Sequence, residues 1–431
     1  MKRKVIDGLM NWNLNPEYKP VLLTGAKGVG KTYLAYDFAK SFYEHILYLN
    51  LERRPAAHEL FRNQNPQETT SKLLKYFDLS EGTEVSGRLL ILDEIAFCPE
   101  VYTYLASIRD RESSEFPRII AITSLPLIEA QQSIFHVLPV VPLEFDEFLL
   151  ATANDWYVEA IQTHFEANKP LPEIVHKELL VLHDLYMMIG GMPGTVNEYL
   201  NFNSLSNIAE QHSFLIGSYH DYILRLYQDN DALKMNQVYD SLTLQLMKPN
   251  KKFQYKQIRK GTTHAMYREA IQKLKDCNYI LQCNKITSEQ LRIGNSSDQE
   301  TTLEGDAGAN FKLYLPDTGL LYTRLTEESY LPKDPIVRKA LLENYVAQAF
   351  HAKGYPLMFW ESDSMAKIEF ILPREDDILP VEVHIDKHTR SKSISVLKQK
   401  QPFPYAVKIS SKNFEYSNQV KYVPYYAVFC L

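Results

Sequence analysis

The sequence predicts an α/β fold, in which a parallel β-sheet at the N-terminus is followed by helical segments and a second α/β domain. Three observations support this prediction. A glycine-rich loop separates a short apolar run, Val21–Leu23, from an amphipathic segment, Tyr33–Phe42. Apolar runs typical of buried parallel strands recur at residues 45–51, 88–92 and 118–122. Helix-periodic stretches separate these runs, as the crossover connections of a parallel sheet require.

Length and composition limit the class of protein. At 431 residues the chain is too long for one ordinary core, so we expect two or three domains. The net charge of −6 argues against a basic nucleic-acid-binding protein overall and leaves a local basic patch open. The chain lacks an apolar run of about 18 residues, so we expect no membrane segment. The four cysteines form no C-x-x-C pair, which favours a reducing, cytoplasmic setting.

The glycine-rich loop has the composition of a phosphate site. Residues 25–32, GAKGVGKT, match the pattern G-x-x-x-x-G-K-[ST] between a predicted strand and a predicted helix. Backbone N–H groups in such a loop, and the helix N-terminus behind it, attract phosphate oxygens. Lys31 is positioned to reach the β- and γ-phosphates, and the Thr32 hydroxyl to ligate Mg²⁺. The predicted nucleotide-binding residues are Gly25, Ala26, Lys27, Gly28, Val29, Gly30, Lys31, Thr32 and Tyr33.

An apolar strand ending in two acids predicts the metal and water-activating groups. In RLLILDE, residues 88–94, the strand delivers Asp93 to the carboxyl edge of the sheet, beside the phosphates. Asp93 would support Mg²⁺, partly through water, and Glu94 would orient or deprotonate an attacking water. This motif is weak alone, and the upstream phosphate loop makes it specific.

A further strand ends in two hydroxyl residues. After residues 118–122, Thr123 or Ser124 would sense the γ-phosphate at the same sheet edge. The alternative is a strand followed by an ordinary helix cap. We predict Ser124 as the catalytic partner of Lys31 and Glu94.

The combination of motifs resembles a known family. The segments concerned are LLTGAKGVGKT (22–32), LYLNLE (47–52), LLILDE (89–94), ITS (122–124), PLEFDEFL (142–149) and GGMPGTV (190–196). Together they resemble the bacterial and archaeal AAA+-type ATPases that carry a C-terminal domain of uncharacterised function. In that family the last domain is similar to the PD-(D/E)xK restriction-endonuclease-like fold. The resemblance covers nearly the whole chain.

This resemblance implies a domain plan and two cofactors, ATP/ADP and Mg²⁺. The plan has a P-loop ATPase domain, a helical lid, a winged-helix-like region with a linker, and a PD-(D/E)xK-like domain. The corresponding ranges are 1–150, 151–230, 231–330 and 331–431. The resemblance also implies that Gly191 and Pro193 belong to the lid and that Pro193 approaches the adenine. The alternative for this segment is a plain loop between two helices.

The charge-stabilising arginine of the ATPase is left open. Val137 and Leu138 stand where the family often has a Gly-Arg pair. The remaining candidates are Arg109, Arg111 and Arg118, or an arginine of another subunit in a homo-oligomer.

The middle region combines a winged-helix pattern with basic residues. Helices are predicted near residues 236–247 and 267–275, a hairpin strand at 278–286 and a flexible loop at 288–310. Lysines and arginines concentrate between residues 248 and 275. They favour either a DNA contact or a protein-packing module with a solvated charged face. The segment FKLYLPDTGLL, residues 311–321, also resembles a hallmark of the family.

The last domain carries a departure from the nuclease pattern. We predict a helix through Glu343, a hairpin at 357–372, and strands at 380–384, 405–409 and 425–429. By the resemblance, the nuclease-like positions are Glu343, Glu369, Glu382 and His384. The family has lysine where His384 stands, and a mostly neutral imidazole is a poor replacement for an ammonium. We therefore expect a degenerate site.

Two functions of different class follow from the sequence. The first is Mg²⁺-dependent ATP hydrolysis coupled to a conformational switch, which controls a C-terminal recognition module and an unidentified protein partner. The alternative is an ATP-driven, DNA-acting nuclease.

Overall fold

The computed structural model describes residues 2–15, 19–62, 65–79, 87–109, 116–293, 306–362, 366–374, 377–387 and 392–431. The chain divides into two compact units, Lys2–Val141 and Pro142–Leu431. The segment 142–149, which the sequence analysis assigns to the ATPase domain, groups with the second unit.

The first unit is a parallel α/β sheet with helices between its strands. Its strands are β1 Val21–Thr24, β2 His45–Asn50, β3 Arg88–Asp93, β4 Arg118–Ile122 and β5 His136–Pro139. Its helices are α1 Val5–Leu14, α2 Lys31–Phe42, α3 Pro66–Tyr76, α4 Val101–Ile108 and α5 Glu129–Gln132. The strand order is β2-β3-β4-β1-β5, and every pairing is parallel. The predicted parallel sheet is therefore confirmed.

Burial explains why these strands read as continuous apolar runs. All six residues of β3 are buried, because neighbouring strands flank it and helices cover both faces. The helix-periodic stretch between β2 and β3, which predicts one helix over residues 57–79, is instead two elements. They are a 3₁₀ segment, Pro55–Phe61, and α3. The break occurs because Asn65 accepts the N–H groups of the first turn of α3 and Pro66 opens that helix.

The second unit contains twelve α-helices and nine strands in the described ranges. The helices are α6 Phe145–Ala151, α7 Asp155–Ala167, α8 Glu173–Ile189, α9 Pro193–Phe202, α10 Ile208–Leu226, α11 Asp229–Asp240, α12 Leu242–Leu246, α13 His264–Asp276, α14 Ser288–Ile293, α15 Thr318–Glu327, α16 Pro335–Ala352 and α17 Ser393–Lys400. The strands are β6 Leu281–Lys285, β7 Asp306–Tyr314, β8 Met358–Glu361, β9 Lys367–Ile368, β10 Phe370–Pro373, β11 Ile378–Val383, β12 Ala406–Ser410, β13 Glu415–Ser417 and β14 Val420–Pro424.

These strands form two sheets, with orders β7-β6-β8-β9 and β10-β11-β12-β14-β13. The predicted hairpin strand is β6, which pairs antiparallel with β7 and also parallel with β8. It is thus an interior strand of a sheet, and the winged-helix identity of this region stays a prediction. The predicted loop at 288–310 contains α14 and the start of β7; residues 294–305 lie outside the described ranges.

The C-terminus differs from the predicted strand at residues 425–429. Tyr425–Cys430 forms a 3₁₀ helix, and the strand lies just before it, in β14. Pro424 at the junction cannot donate a further ladder hydrogen bond, so the strand ends there. Residues 425–429 are all buried, which explains their apolar character without a strand.

Candidate functional site

The loop after β1 has a backbone that requires its glycines. Gly25, Gly28 and Gly30 have φ angles of 137°, 90° and 91°, in a region that side chains disfavour. A Cβ on Gly25 would lie 2.1 Å from the carbonyl oxygen of Val140. The loop is therefore compatible only with a glycine at position 25, and it leads directly into the N-terminus of α2.

Lys31 lies buried inside this loop. Its Nζ donates to the carbonyls of Gly25 and Ala26, at 2.7 and 3.0 Å, and to Ser124 Oγ at 3.0 Å. Burial lowers the pKa of Lys31 to about 8, although the carboxylates of Glu94 and Asp93 oppose that effect. The ammonium is thus held by neutral oxygens at the position where a phosphate would bind.

Asp93, the last residue of β3, accepts three side-chain hydrogen bonds. Its Oδ2 accepts hydrogen bonds from Thr32 Oγ1 at 3.1 Å, Tyr48 OH at 2.7 Å and Asn50 Nδ2 at 3.2 Å. Its Oδ1 is buried and has no hydrogen-bond partner among the described residues. A buried, unpartnered carboxylate oxygen beside a threonine hydroxyl is a donor set that suits Mg²⁺.

Glu94 lies next to Asp93 and is fixed by Ser124. Glu94 Oε1 accepts the Ser124 hydroxyl at 2.6 Å, and Oε2 accepts the Ser124 N–H at 3.1 Å. The residue adopts a left-handed backbone, with φ of 54°, which turns its side chain away from the strand direction. Burial raises the pKa of the Glu94 carboxyl, with Lys31 opposing the shift. Lys31, Glu94 and Ser124 therefore form one hydrogen-bonded group.

The structure separates the two hydroxyl candidates and adds two residues that the sequence analysis missed. Thr123 Oγ1 is engaged with the backbone of Leu125 and does not join the Lys31 group. Tyr48 and Asn50 were not predicted, although both are polar residues within the apolar run of residues 46–51 that includes most of strand β2. That interruption is the sequence signal for them, because residues at the carboxyl ends of β2 and β3 meet at one sheet edge.

Three other predicted residues have distinct positions. Val29 is fully buried, so only its backbone is available to a phosphate, whereas Tyr33 is 61% exposed. Arg118 begins β4 at the opposite edge of the sheet, where its guanidinium donates to the carbonyls of Trp12 and Asn15. Arg118 therefore lies at the end of β4 away from Ser124, and the identity of the charge-stabilising arginine stays open. Arg111 lies outside the described residues.

In the second unit, the GGMP and D-x-G-L-L segments contact each other. Asp317 Oδ2 accepts the Gly191 N–H at 2.6 Å, and Oδ1 accepts the Leu320 N–H at 3.1 Å. A Cβ on Gly319 would lie 2.7 Å from Gly190 Cα. The backbone that approaches Gly191 closely is that of Leu143, whose carbonyl oxygen would lie 2.1 Å from a Cβ at position 191, whereas Asp317 Oδ1 would lie 2.3 Å from a Cβ on Gly190. Pro193 occupies the first position of α9 and is half-buried; its predicted contact with adenine stays a prediction.

Glu343 is a buried carboxylate surrounded by cations. The ammonium groups lie 3.1, 3.4 and 3.8 Å from its oxygens and belong to Lys251, Lys339 and Lys312. Tyr314 OH donates to Oε2 at 3.2 Å. Burial alone would raise the pKa of Glu343, but the three ammonium groups together hold it well below its usual range.

The four nuclease-like positions divide into two groups. Lys339 Nζ links Glu343 to Glu369, 2.8 Å from Glu369 Oε1, and also donates to the Val383 carbonyl. Glu382 instead accepts from His384 Nε2 at 3.1 Å and pairs with Lys408 Nζ at 3.3 Å.

The lysines of both groups were missed by the sequence analysis. Lys339 precedes Glu343 by four residues on α16, which is a recognisable helical spacing. Lys408 faces Glu382 only through the register of β11 with β12. A single sequence does not encode that register in any local pattern.

Family models match most of the chain in three separate segments. Residues 17–149 match a model described as an AAA domain. Residues 182–330 and 338–428 match two models described as domains of unknown function, DUF8612 and DUF4143. Together with the loop geometry and the parallel sheet, the first match identifies the N-terminal region as a P-loop ATPase-type domain. A PD-(D/E)xK identity for the last segment is not shown.

Several solved structures resemble parts of the chain at low identity. The Walker-type ATPase of Pyrococcus abyssi has 16% identity over 74% of this chain and 93% of its own, with a TM-score of 0.41. A signal transduction ATPase with a tetratricopeptide repeat sensor from Pyrococcus horikoshii has 14% identity over 82% and 45%, with a TM-score of 0.29. PCH-2 of C. elegans has 16% identity over 44% and 57%, with a TM-score of 0.27. No curated protein matches the chain significantly.

In the described ranges, no single helix is long and apolar enough to cross a membrane, although the bent pair α8 and α9 together has the necessary length and composition. No group of three or more His, Cys, Asp or Glu side chains in those ranges is arranged to hold a metal ion.

Proposed function

We propose that this chain is a magnesium-dependent ATPase whose nucleotide state controls a recognition module in the second unit. The observation that carries the enzymatic part is the convergence of Lys31, Asp93 and Glu94 at the carboxyl edge of one parallel sheet. These groups come from two segments that are about 60 residues apart in the sequence. Their arrangement matches the positioning and electrostatic requirements of phosphoryl transfer.

Each residue has a definite task in this proposal. Lys31 exchanges its loop carbonyls for β- and γ-phosphate oxygens and stabilises their negative charge. Thr32 and Asp93 would hold Mg²⁺, which would supply positive charge to the phosphates of the nucleotide. Tyr48 and Asn50 keep the Asp93 carboxylate oriented through its second oxygen.

Glu94 activates the attacking water. In the nucleotide-free arrangement both of its oxygens are occupied by Ser124. When Lys31 moves to the phosphates, Ser124 loses its ammonium donor and is free to turn toward the γ-phosphate. Glu94 then becomes available to accept a proton from water, and its raised pKa makes it a stronger base than an ordinary carboxylate.

The regulatory part of the proposal is supported by chain connectivity. Val140 N donates to Thr24 O at 2.8 Å, and the Val140 carbonyl packs directly against Gly25. The second unit begins two residues later, at Pro142. A nucleotide that moves the loop therefore acts on the segment that leads into the second unit.

Two substitutions test the ATPase assignment. Lys31→Ala should abolish nucleotide binding, whereas Glu94→Gln should retain binding and lose turnover. Lys40→Ala and Asp37→Asn are matched controls, because both residues are exposed on α2. Phosphate-release and nucleotide-binding assays give the comparison. If Lys31→Ala and Glu94→Gln both hydrolyse ATP like the parent, the assignment is wrong.

Hydrogen exchange tests the switch. In the Glu94→Gln variant, ATP should change amide protection in residues 142–149 and beyond, relative to the same variant with no nucleotide. Unchanged protection throughout the second unit, with ATP bound, would leave the chain an ATPase and contradict the switch.

We do not favour the nuclease alternative. The ammonium of Lys339 lies between Glu343, Glu369 and the Val383 carbonyl. That space is where a divalent cation bound by these oxygens would have to lie. Mg²⁺- or Mn²⁺-dependent DNA cleavage that disappears in Glu382→Ala would overturn this preference.

A further inference from the structure

The second unit contains a cavity of about 410 Å³ beside the N-terminal turns of α16. Five lysines line it: Lys248, Lys251, Lys312, Lys339 and Lys367. Three glutamates line it as well, so its charged lining has a surplus of positive charge. The cavity partly encloses this positive charge, and an enclosed charge that lacks a partner of opposite sign costs free energy.

A tight turn brings two of the lysines to the cavity. Lys251 N donates to Lys248 O at 3.2 Å, and Lys251 has a left-handed backbone with φ of 49°. Strained backbone of this kind in a non-glycine residue is concentrated at functional sites. Immediately afterwards the chain joins β7, because Phe253 N donates to Phe311 O at 2.9 Å. Lys251 is thereby placed beside Lys312.

The carboxylates of the cavity already have donors. Both oxygens of Glu343 are matched by the surrounding ammonium groups and Tyr314, as described above. Glu369 accepts from Lys339 and, at 3.3 Å, from the N–H of Val383. Glu361 is paired with Lys252. The acids therefore leave little negative charge for the remaining ammonium groups.

The contacts of Lys248 show where positive charge remains in the cavity. Its Nζ contacts the amide oxygens of Gln245 and Gln254, at 3.3 and 3.2 Å, and both partners are neutral. Lys251 and Lys312 share the single carboxylate of Glu343. An anion entering the cavity would therefore meet three ammonium groups, none of which has a carboxylate to itself.

We propose that this cavity binds a phosphate monoester carried by a nucleotide-sized ligand. Lys248, Lys251 and Lys312 would hold the phosphate, since lysine is a general phosphate-binding cation. The exposed apolar side chain of Ile336 lines the same cavity and offers a surface for a base or sugar. The volume lies within the range of about 300–1,000 Å³ typical of small-molecule sites. Lys339 supplies the cation between the carboxylates, so binding needs no divalent metal.

The test uses the full chain with Lys31→Ala, so that the ATPase loop does not contribute to binding. A failure of the ATPase proposal can then be distinguished from a failure of the cavity proposal. Calorimetry with deoxyadenosine 5′-monophosphate in the presence of EDTA should show binding that weakens as salt increases. Adenosine should not bind, and inorganic phosphate should bind more weakly than the monophosphate. A 5′-phosphorylated oligonucleotide, compared with the same strand lacking the phosphate, distinguishes a strand end from a free nucleotide.

Lysine variants then locate the site. Lys248→Ala should weaken binding by about 10- to 100-fold, as expected for loss of a charge-assisted contact. Lys367 is exposed, so Lys367→Ala should fold normally and weaken binding by a smaller factor. The matched control is Lys260→Ala, an exposed lysine that does not line the cavity. Absence of monophosphate binding, equal binding of adenosine, or equal affinity in both cavity variants and the control would overturn the proposal.

Discussion

The buried ammonium of Lys31 makes nucleotide affinity depend on pH. Its pKa is lowered from 10.5 to about 8 in the empty loop, first by burial. That difference corresponds to about 3.4 kcal/mol between the charged and neutral forms. Phosphate oxygens would restore the missing counter-charge, so bound nucleotide should return the pKa toward its ordinary value. Above pH 8 the empty protein must therefore take up a proton in order to bind.

The direction and size of the change in ADP affinity with pH follow from the fraction of Lys31 that is already protonated. Below pH 8 most of the empty protein carries the ammonium and the affinity should be nearly constant. Between pH 7.5 and pH 9 the protonated fraction falls by about eightfold, and the affinity for ADP should fall by the same factor. Over this range the phosphates of ADP do not change their charge.

Isothermal titration at several pH values, in two buffers of different ionisation enthalpy, measures both affinity and proton uptake. We expect close to one proton taken up per ADP at pH 9. Glu94→Gln should move the midpoint to lower pH, because the Glu94 carboxylate raises the pKa of Lys31. An ADP affinity that stays constant from pH 7.5 to pH 9, with no proton uptake, would refute the reasoning.

Three further outcomes are expected. Gly25→Ala should abolish ADP binding, because the φ of 137° at Gly25 and the nearby carbonyl exclude a Cβ. Gly87→Ala should still bind ADP, because Gly87, with φ of 82°, has open space around it. Circular dichroism checks that both variants fold. Asp317 is fully buried, and burial raises its pKa from 3.8 to about 6. The stability of the parent relative to Asp317→Asn, measured by urea unfolding, should therefore fall by about 2 kcal/mol as pH rises from 4 to 7. An unchanged difference between the two would contradict this. Tyr48→Phe removes a 2.7 Å hydrogen bond to Asp93 and should lower the ATPase rate by about 3- to 10-fold with a higher Mg²⁺ requirement; an unaltered Mg²⁺ titration would count against that role.

The phosphate loop was predictable because its determinants are contiguous. Strand, glycine turn, lysine and helix follow one another between residues 21 and 42, so local chemistry fixes the local structure. Asp93 and Glu94 were predictable for a related reason. A fully buried strand that ends in acids delivers them to the edge where the loop also lies.

The contacts that sequence reasoning missed depend on strand order and register. Tyr48 meets Asp93 because β2 lies beside β3, and this adjacency appears only once the sheet is assembled. Lys251 and Glu343 are far apart in sequence, and a tight turn brings them together. The pairing of β6 with β8 was missed for the same reason, since β8 lies more than 70 residues away along the chain.

The central claim is that the N-terminal unit binds a magnesium nucleotide through Lys31. Calorimetric titration of the parent and of Lys31→Ala with ADP and Mg²⁺, on samples verified as folded by circular dichroism, tests this claim most directly. We predict saturable binding to one site per chain in the parent and no measurable heat in the variant. No heat from the folded parent, or equal affinity in both proteins, would contradict the account.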